Sequence, residues 1–305
     1  MDRASPYYRQ VQLLIRVLPF VFQEDCFALK GGTAINLFVR DFPRLSVDID
    51  LVYLPDKGRD EALSDIRRAL DTVADSIVEA LEGVTVTRSY QDKSDALRLI
   101  VSQEKASVKI ELSPVLRGTV YPPETRSVVE TVEDEFGFAE VPVVALADLY
   151  AGKLCAALDR QHPRDWFDVM LLARNEGVTE ALRKAFLVYL VSHSRPMEEL
   201  LAPNWKEQGA LFESEFRGMA FVAAELAEMQ AAVEDVLDAI LAGLTEEERR
   251  FLCSIYESEP DWSLLGLEGV SSLPAVGWKL RNVARMDAGK RAASLGKLKE
   301  VLGGE

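Results

Sequence analysis

From Ser46 to Leu54 the chain alternates with a period of two, and the run Ser46-Val47-Asp48-Ile49-Asp50-Leu51-Val52-Tyr53 reads as a strand with two unlike faces. Side chains project alternately from a strand, so Val47, Ile49 and Leu51 are predicted to face a core while Asp48 and Asp50 share the other side. Two carboxylates about 7 Å apart along one strand repel each other unless a cation lies between them. Hard oxygen donors so placed suit Mg²⁺, which takes one or two protein carboxylates and completes its shell with substrate phosphates. A plain solvated strand face would carry the same pattern, so neighbouring segments decide between the two.

Upstream, Leu29-Lys30-Gly31-Gly32-Thr33-Ala34 reads as a strand, a glycine turn and the start of a helix running from Thr33 to Val39. Such a turn exposes backbone N–H groups where a phosphate binds favourably, and Thr33 is expected to cap the helix and offer its hydroxyl to a phosphate oxygen. A Gly pair is also common in an ordinary βα turn. Downstream, Ser107 to Leu112 places Val108, Ile110 and Leu112 on a core face and Lys109 and Glu111 on a polar one. Beside the Asp48 strand, Glu111 would be a third carboxylate, and three acids on neighbouring strands can hold two Mg²⁺ ions. On an edge strand, Lys109 and Glu111 would be only an exposed pair.

Further along, Lys153 and Arg160 lie two helical turns apart, and Asp165 and Asp168 share a face of the helix after Pro163. Fixed cations there, with Arg164, would neutralise a triphosphate. Asp165 could orient Lys153, hydrogen-bond a base or sugar, or pair with Arg164; a salt-bridged helical hairpin would show the same residues. Between these motifs, Leu63, Ile66, Leu70, Val73, Ile77 and Leu81 predict a long helix stopped by Gly83, followed by strands over 84–90, 96–103 and 107–112. The segment 118–142, with three prolines and many acids, reads as a linker or excursion, and the remainder as nearly all helical. Leu226 to Leu244 carries one apolar stripe, and Thr245 with Glu248 forms a capping box. The expected class is α/β (α+β) with a mixed sheet over 1–140, followed by a helical domain over 141–305.

In order and spacing these motifs resemble the nucleotidyltransferase toxins of the AbiEii/AbiGii family, which includes the MenT-type toxins. The match runs through Gly31-Gly32-Thr33-Ala34, Ser46 to Leu51, Lys109-Ile110-Glu111, Lys153 through Arg160, Arg164-Asp165 and Asp168, covering about residues 25–175. The resemblance implies a polymerase-β-like core, an NTP substrate with Mg²⁺, an RNA acceptor, namely the tRNA 3′ end, and a cognate antitoxin. It assigns catalysis to Asp48, Asp50, Glu111, Lys153 and Asp165, with Lys153 and Asp165 lent by the helical domain to the cleft. Asp48, Asp50 and Glu111 would hold metal; Gly31, Gly32, Thr33, Ser46, Lys153, Arg160, Arg164 and Asp168 would bind nucleotide. Glu111 stands where that superfamily usually carries Asp. Ser46 is expected on the carboxylate face, where a phosphate would add about −1.5 to −2 charges and act as an off-switch. A small-molecule nucleotidyltransferase of the antibiotic-modifying kind, or a silent partner-binding module, remain alternatives.

Composition narrows the partners. Fifty acidic against 35 basic residues give a net charge of −15, so the chain is not a general polyanion binder and any RNA contact needs a local basic patch. The stretch 278–299 offers one: Lys279, Arg281, Arg285, Lys290, Arg291, Lys297 and Lys299 with Trp278, against Asp287 alone. It could equally be the positive face of a helix packed on the acidic helix at 225–238. Cys26, Cys155 and Cys253 form no CxxC pair, and His162 and His193 are the only histidines, which argues against disulfide, zinc or histidine-based metal sites. The opening Met1-Asp2-Arg3-Ala4-Ser5-Pro6 and a stretch 13–22 broken by Arg16 and Pro19 do not read as a signal peptide, and no run is long enough to span a membrane. A cytoplasmic protein is expected.

Overall fold

A seven-stranded mixed sheet carries the first half of the chain, in the order β3-β4-β5-β2-β1-β7-β6. The structure, a computed structural model, describes residues 5–91 and 96–303; Met1 to Ala4, which open the signal-peptide reading, lie outside them. Helix α1 (Pro6–Val21) is capped by Ser5 and precedes β1 (Phe27–Lys30). Then follow α2 (Gly31–Ala34), which runs on as a π-helical turn over Ile35–Val39, and β2 (Asp48–Tyr53). Helix α3 (Arg59–Ala80) buries Leu63, Ile66, Leu70, Val73 and Ile77 at helical spacing and leads to β3 (Val84–Arg88), β4 (Arg98–Gln103) and β5 (Ala106–Leu112). Strand β5 is internal, parallel to β2 and antiparallel to β4, so Lys109 and Glu111 are not an edge pair.

Segment 118–142 corrects the linker reading. It forms β6 (Glu124–Ser127), α4 (Glu130–Phe136) and β7 (Glu140–Val143), and β7 lies parallel to β1 with Leu29 opposite Val143. Val141 and Val143 are buried on either side of Pro142, and a strand this short around a residue without a donor gives almost no periodic signal.

Two compact units result: Met1–Ala145 with Ala220–Val222, and Leu146–Met219 with Ala223–Glu305. In the first, Ala220 bridges Arg44, the Phe221 amide donates to the Pro43 carbonyl at 2.8 Å, and the Phe221 ring lies 5.2 Å from that of Phe42. The second contains α5 (Leu146–Asp159), α6 (Pro163–Asn175), α7 (Glu180–Ser192), α8 (Met197–Leu201), α9 (Gly209–Glu215), α10 (Leu226–Ala242), α11 (Glu246–Glu257), α12 (Pro274–Ala284) and α13 (Ala288–Val301). Helix α5 packs on α6 and α7, and α10 on α6. Trp166, fully buried, donates its indole N–H to the Ala157 carbonyl at 3.1 Å and so ties α6 to α5. Thr245 and Glu248 complete a reciprocal cap on α11. Among the described residues no helix is long and apolar enough to cross a membrane.

Candidate active site

Strand pairing assembles a row of charge across the sheet. Lys30 on β1 stands opposite Asp50 on β2, Asp50 opposite Glu111 on β5, and Glu111 opposite Arg98 on β4. Residues in register on neighbouring strands share a face, so the order is cation, acid, acid, cation. One step along, Asp48 stands opposite Lys109. Ile49 and Leu51 are buried on the other side, as the alternation requires, and the three expected carboxylates are brought onto one face.

They are not equivalent. The Lys109 ammonium lies 3.0 Å from Glu111 Oε2 and 3.7 Å from Asp48 Oδ2, while Arg98 hydrogen-bonds Glu111 Oε1. Both oxygens of Glu111 are therefore engaged by cations. Burial works against its charge, but the hydrogen bonds from Arg98 and Lys109 more than offset this and hold its carboxyl below the ordinary range. Lys109 is half-buried, which disfavours its charge, yet the Glu111 hydrogen bond and the nearby Asp48 and Asp50 charges keep its pKa above the usual value. Among the described residues no three His, Cys, Asp or Glu side chains are grouped to hold a metal. Glu111, with a cation on each oxygen, differs in this from Asp48 and Asp50. Asp48 and Asp50, hard donors on one partly exposed strand face, fit a single divalent cation.

The glycine turn abuts these acids. Gly31 has φ +76°, and a Cβ there would stand 2.5 Å from Asp50 Oδ2; one on Gly32 would stand 2.8 Å from both Arg44 Nη2 and Ser46 Oγ. Only glycine lets the backbone come this close to the carboxylate. The helix opens at Gly31 with Lys30 in the capping position, so Thr33 is not its cap. Thr33 is wholly buried and donates its hydroxyl to the Asp48 carbonyl at 2.5 Å, within 3.1 Å of Ser46 Oγ. The hydroxyl thereby ties the turn to the root of β2. Asn36 braces the same turn by donating to the Gly32 carbonyl at 2.8 Å. Ser46 precedes β2, which begins at Asp48, and sits against the turn rather than on the strand face. Arg44, almost fully buried beside Gly32, escaped the sequence reading because its place depends on how 40–47 folds back under the turn.

In the helical unit Lys153 makes two buried bonds at once, 3.0 Å to Asp165 Oδ1 and 3.0 Å to Asp168 Oδ2. Arg160 forks onto Asp165 through Nε at 2.5 Å and Nη2 at 2.8 Å. Asp165 and Asp168 are wholly buried. Burial alone would raise the Asp165 pKa, but Lys153 and Arg160 together hold it far below the carboxylate range. Of the roles left open for Asp165, orienting Lys153 is the one the contacts support. Arg164 is not its partner; that side chain lies 3.9 Å from Glu215, and the His162 ring, which accepts from the Arg164 amide, caps α6.

The family model of the nucleotidyl transferase AbiEii toxin, of type IV toxin–antitoxin systems, matches residues 12–282. The fold is similar to that of MenT4, a nucleotidyltransferase toxin from Mycobacterium tuberculosis H37Rv. The TM-score is 0.63 at 18% identity, over 92% of this chain and 95% of that one, a likeness that speaks for the fold. No curated protein matches the sequence.

Proposed function

The chain belongs to the AbiEii family of nucleotidyltransferase toxins, and from that membership we propose that it transfers nucleotides from an NTP to an RNA acceptor, the 3′ end of tRNA, with Mg²⁺ and in the cytoplasm, so that translation is blocked until a cognate antitoxin intervenes. The observation that carries this reading is the approach of the glycine turn to the acid face, with no room for even a methyl group between Gly31 and Asp50. Backbone N–H groups and a carboxylate pair so close together suit a ligand that brings phosphates and a divalent cation at once.

Asp48 and Asp50 would hold Mg²⁺. When bound, the ion would neutralise the NTP phosphates and stabilise the departing pyrophosphate. Gly31 and Gly32 would present backbone donors to the phosphates, held in place by Thr33 and Ser46 beneath them. Lys109, clamped by Glu111, would keep a fixed positive charge beside Asp48, and Glu111 would act through it rather than as a ligand. Lys153 would neutralise phosphate charge, with Asp165, Asp168 and Arg160 fixing its ammonium, and Arg164 would add charge at the nucleotide. Support for enlisting the helical unit is that the family match extends through it to residue 282.

The test is incubation of the full-length protein with each labelled NTP, with and without Mg²⁺, beside total tRNA or a panel of aminoglycosides. Label on tRNA that disappears in Asp48→Ala is the expected outcome. Label on the aminoglycosides would move the acceptor to a small molecule, and absence of any Mg²⁺-dependent NTP binding by calorimetry would leave a silent binding module.

A further inference from the structure

We infer that the exposed cationic faces of α12 and α13 dock the phosphate backbone of the RNA acceptor, an assignment that rests on the transfer reading above. Trp278, Arg281 and Arg285 fall at i, i+3 and i+7 on α12, on the side away from buried Ala275, Val276, Lys279 and Val283. Lys290 and Lys297 lie two turns apart on α13, whose only buried residue is Leu298. All five side chains are exposed, and among the described residues none of the four cations is in an ion pair.

This sets them apart from many of the other basic residues of the same unit. Arg174 pairs with Glu228, Arg183 with Glu248, Lys184 with Glu180, Arg195 with Asp159 and Glu199, and Arg217 with Glu213. Packing on the acidic helix does not account for the basic stretch: α10 packs mainly on α6, whereas α12 rests on α7 and α13 on α11 and α8. Three of the seven basic residues drop out, Arg291 because it is only partly exposed. Lys279 is buried, donating to the carbonyls of His193 and Arg195, and Lys299 lines a groove of about 490 Å³ with Glu246 and Glu257. What remains is four unneutralised cations on consecutive helices in a chain of net charge −15.

A polyanion is the partner that gains most from such a face, because each phosphate met by a lysine or arginine releases a condensed counterion. Gly289, Ala292, Ala293 and Gly296 keep the exposed side of α13 low between its lysines, so a backbone can approach closely. Trp278 supplies a ring on which an unpaired base can stack.

The experiment measures tRNA binding by fluorescence anisotropy across a salt series, for the full-length protein and for the variant Arg281→Gln/Arg285→Gln/Lys290→Gln/Lys297→Gln. Loss of four contacts is expected to weaken binding at least tenfold at low salt and to make the slope of log K against log salt shallower by about three. NTP binding, followed by calorimetry, stays unchanged and confirms that the variant is folded. If wild type and variant bind and label tRNA alike, the docking assignment falls while the transfer reading stands. If wild type binds NTP but neither binds nor labels any RNA, the transfer reading falls and takes the docking face with it.

Discussion

Asp50 and Glu111 stand directly opposite each other on parallel strands, yet only Glu111 has a cation on each of its oxygens. That asymmetry separates a residue able to take a metal ion from one already satisfied. Glu111→Gln is therefore expected to lower nucleotide transfer less than tenfold and to leave the Mg²⁺ concentration for half-maximal rate unchanged. Asp50→Asn should cost at least a hundredfold. Since Arg98, Lys109 and Glu111 are each about a third exposed, the stability loss in Glu111→Gln should stay within about 1 kcal/mol by urea denaturation. A hundredfold fall in Glu111→Gln with a shifted Mg²⁺ requirement would restore it as a ligand.

Gly31→Ala should impair activity through geometry. The added Cβ would meet Asp50 Oδ2 at 2.5 Å, and an alanine at φ +76° carries about 1–2 kcal/mol of backbone strain. Transfer is expected to fall at least tenfold, with a drop in thermal midpoint of a few degrees. An active Gly31→Ala of wild-type stability would show that the turn relaxes freely.

The Lys153–Asp165–Arg160 cluster predicts a particular acid response. Asp165 has its carboxyl held far below 3.8, so the folded unit keeps the charge at a pH where the unfolded chain takes up a proton. Its contribution is fully present above about pH 4 and is lost as the pH falls toward the depressed value. Asp165→Asn should cost about 3 kcal/mol at pH 7, the low end for a broken buried pair because Lys153 keeps Asp168. The gap between wild type and variant in urea midpoints should narrow below pH 4; a gap that widens there would contradict it.

Lys279 makes the opposite kind of prediction, at alkaline pH. Burial pushes its amine down to about 8, outweighing the pull of Glu198 and Glu199. Between about 8 and 10.5 the unfolded chain holds a proton that the folded one has released, so stability attributable to Lys279 rises with pH through that window. Wild type should gain on Lys279→Met from pH 8 to pH 10.5 in chemical denaturation, and a constant difference would show that the amine stays charged in the fold.

How far these features could be read from the residues alone follows from their range. Alternation at Asp48–Leu51 and Val108–Leu112, the stripe on α3 and the Thr245–Glu248 cap are local patterns, and each appears where its period places it. Register is not local. Nothing in the chain ahead of pairing says that Lys30 and Arg98 flank the two acids, or that Arg98 and Lys109 together engage both oxygens of Glu111. Thr33 misled for the same reason: a threonine after two glycines looks like a cap, but its hydroxyl found the carbonyl of Asp48, 15 positions on. The cation pair of Lys153 and Arg160 was legible because both reach Asp165 from the same side of one helix.

The return of Ala220–Val222 to the sheet-bearing unit has a practical outcome for anyone dissecting the chain. A fragment ended at Ala145 would omit the tripeptide that bridges Arg44 and lays Phe221 on Phe42, baring an aromatic ring at the foot of the loop that carries Arg44 and Ser46. Isolated halves are thus poor stand-ins for the whole: severed there, the first would lose the brace beneath its own glycine corner, and an inert fragment would say nothing about whether the intact chain is an enzyme.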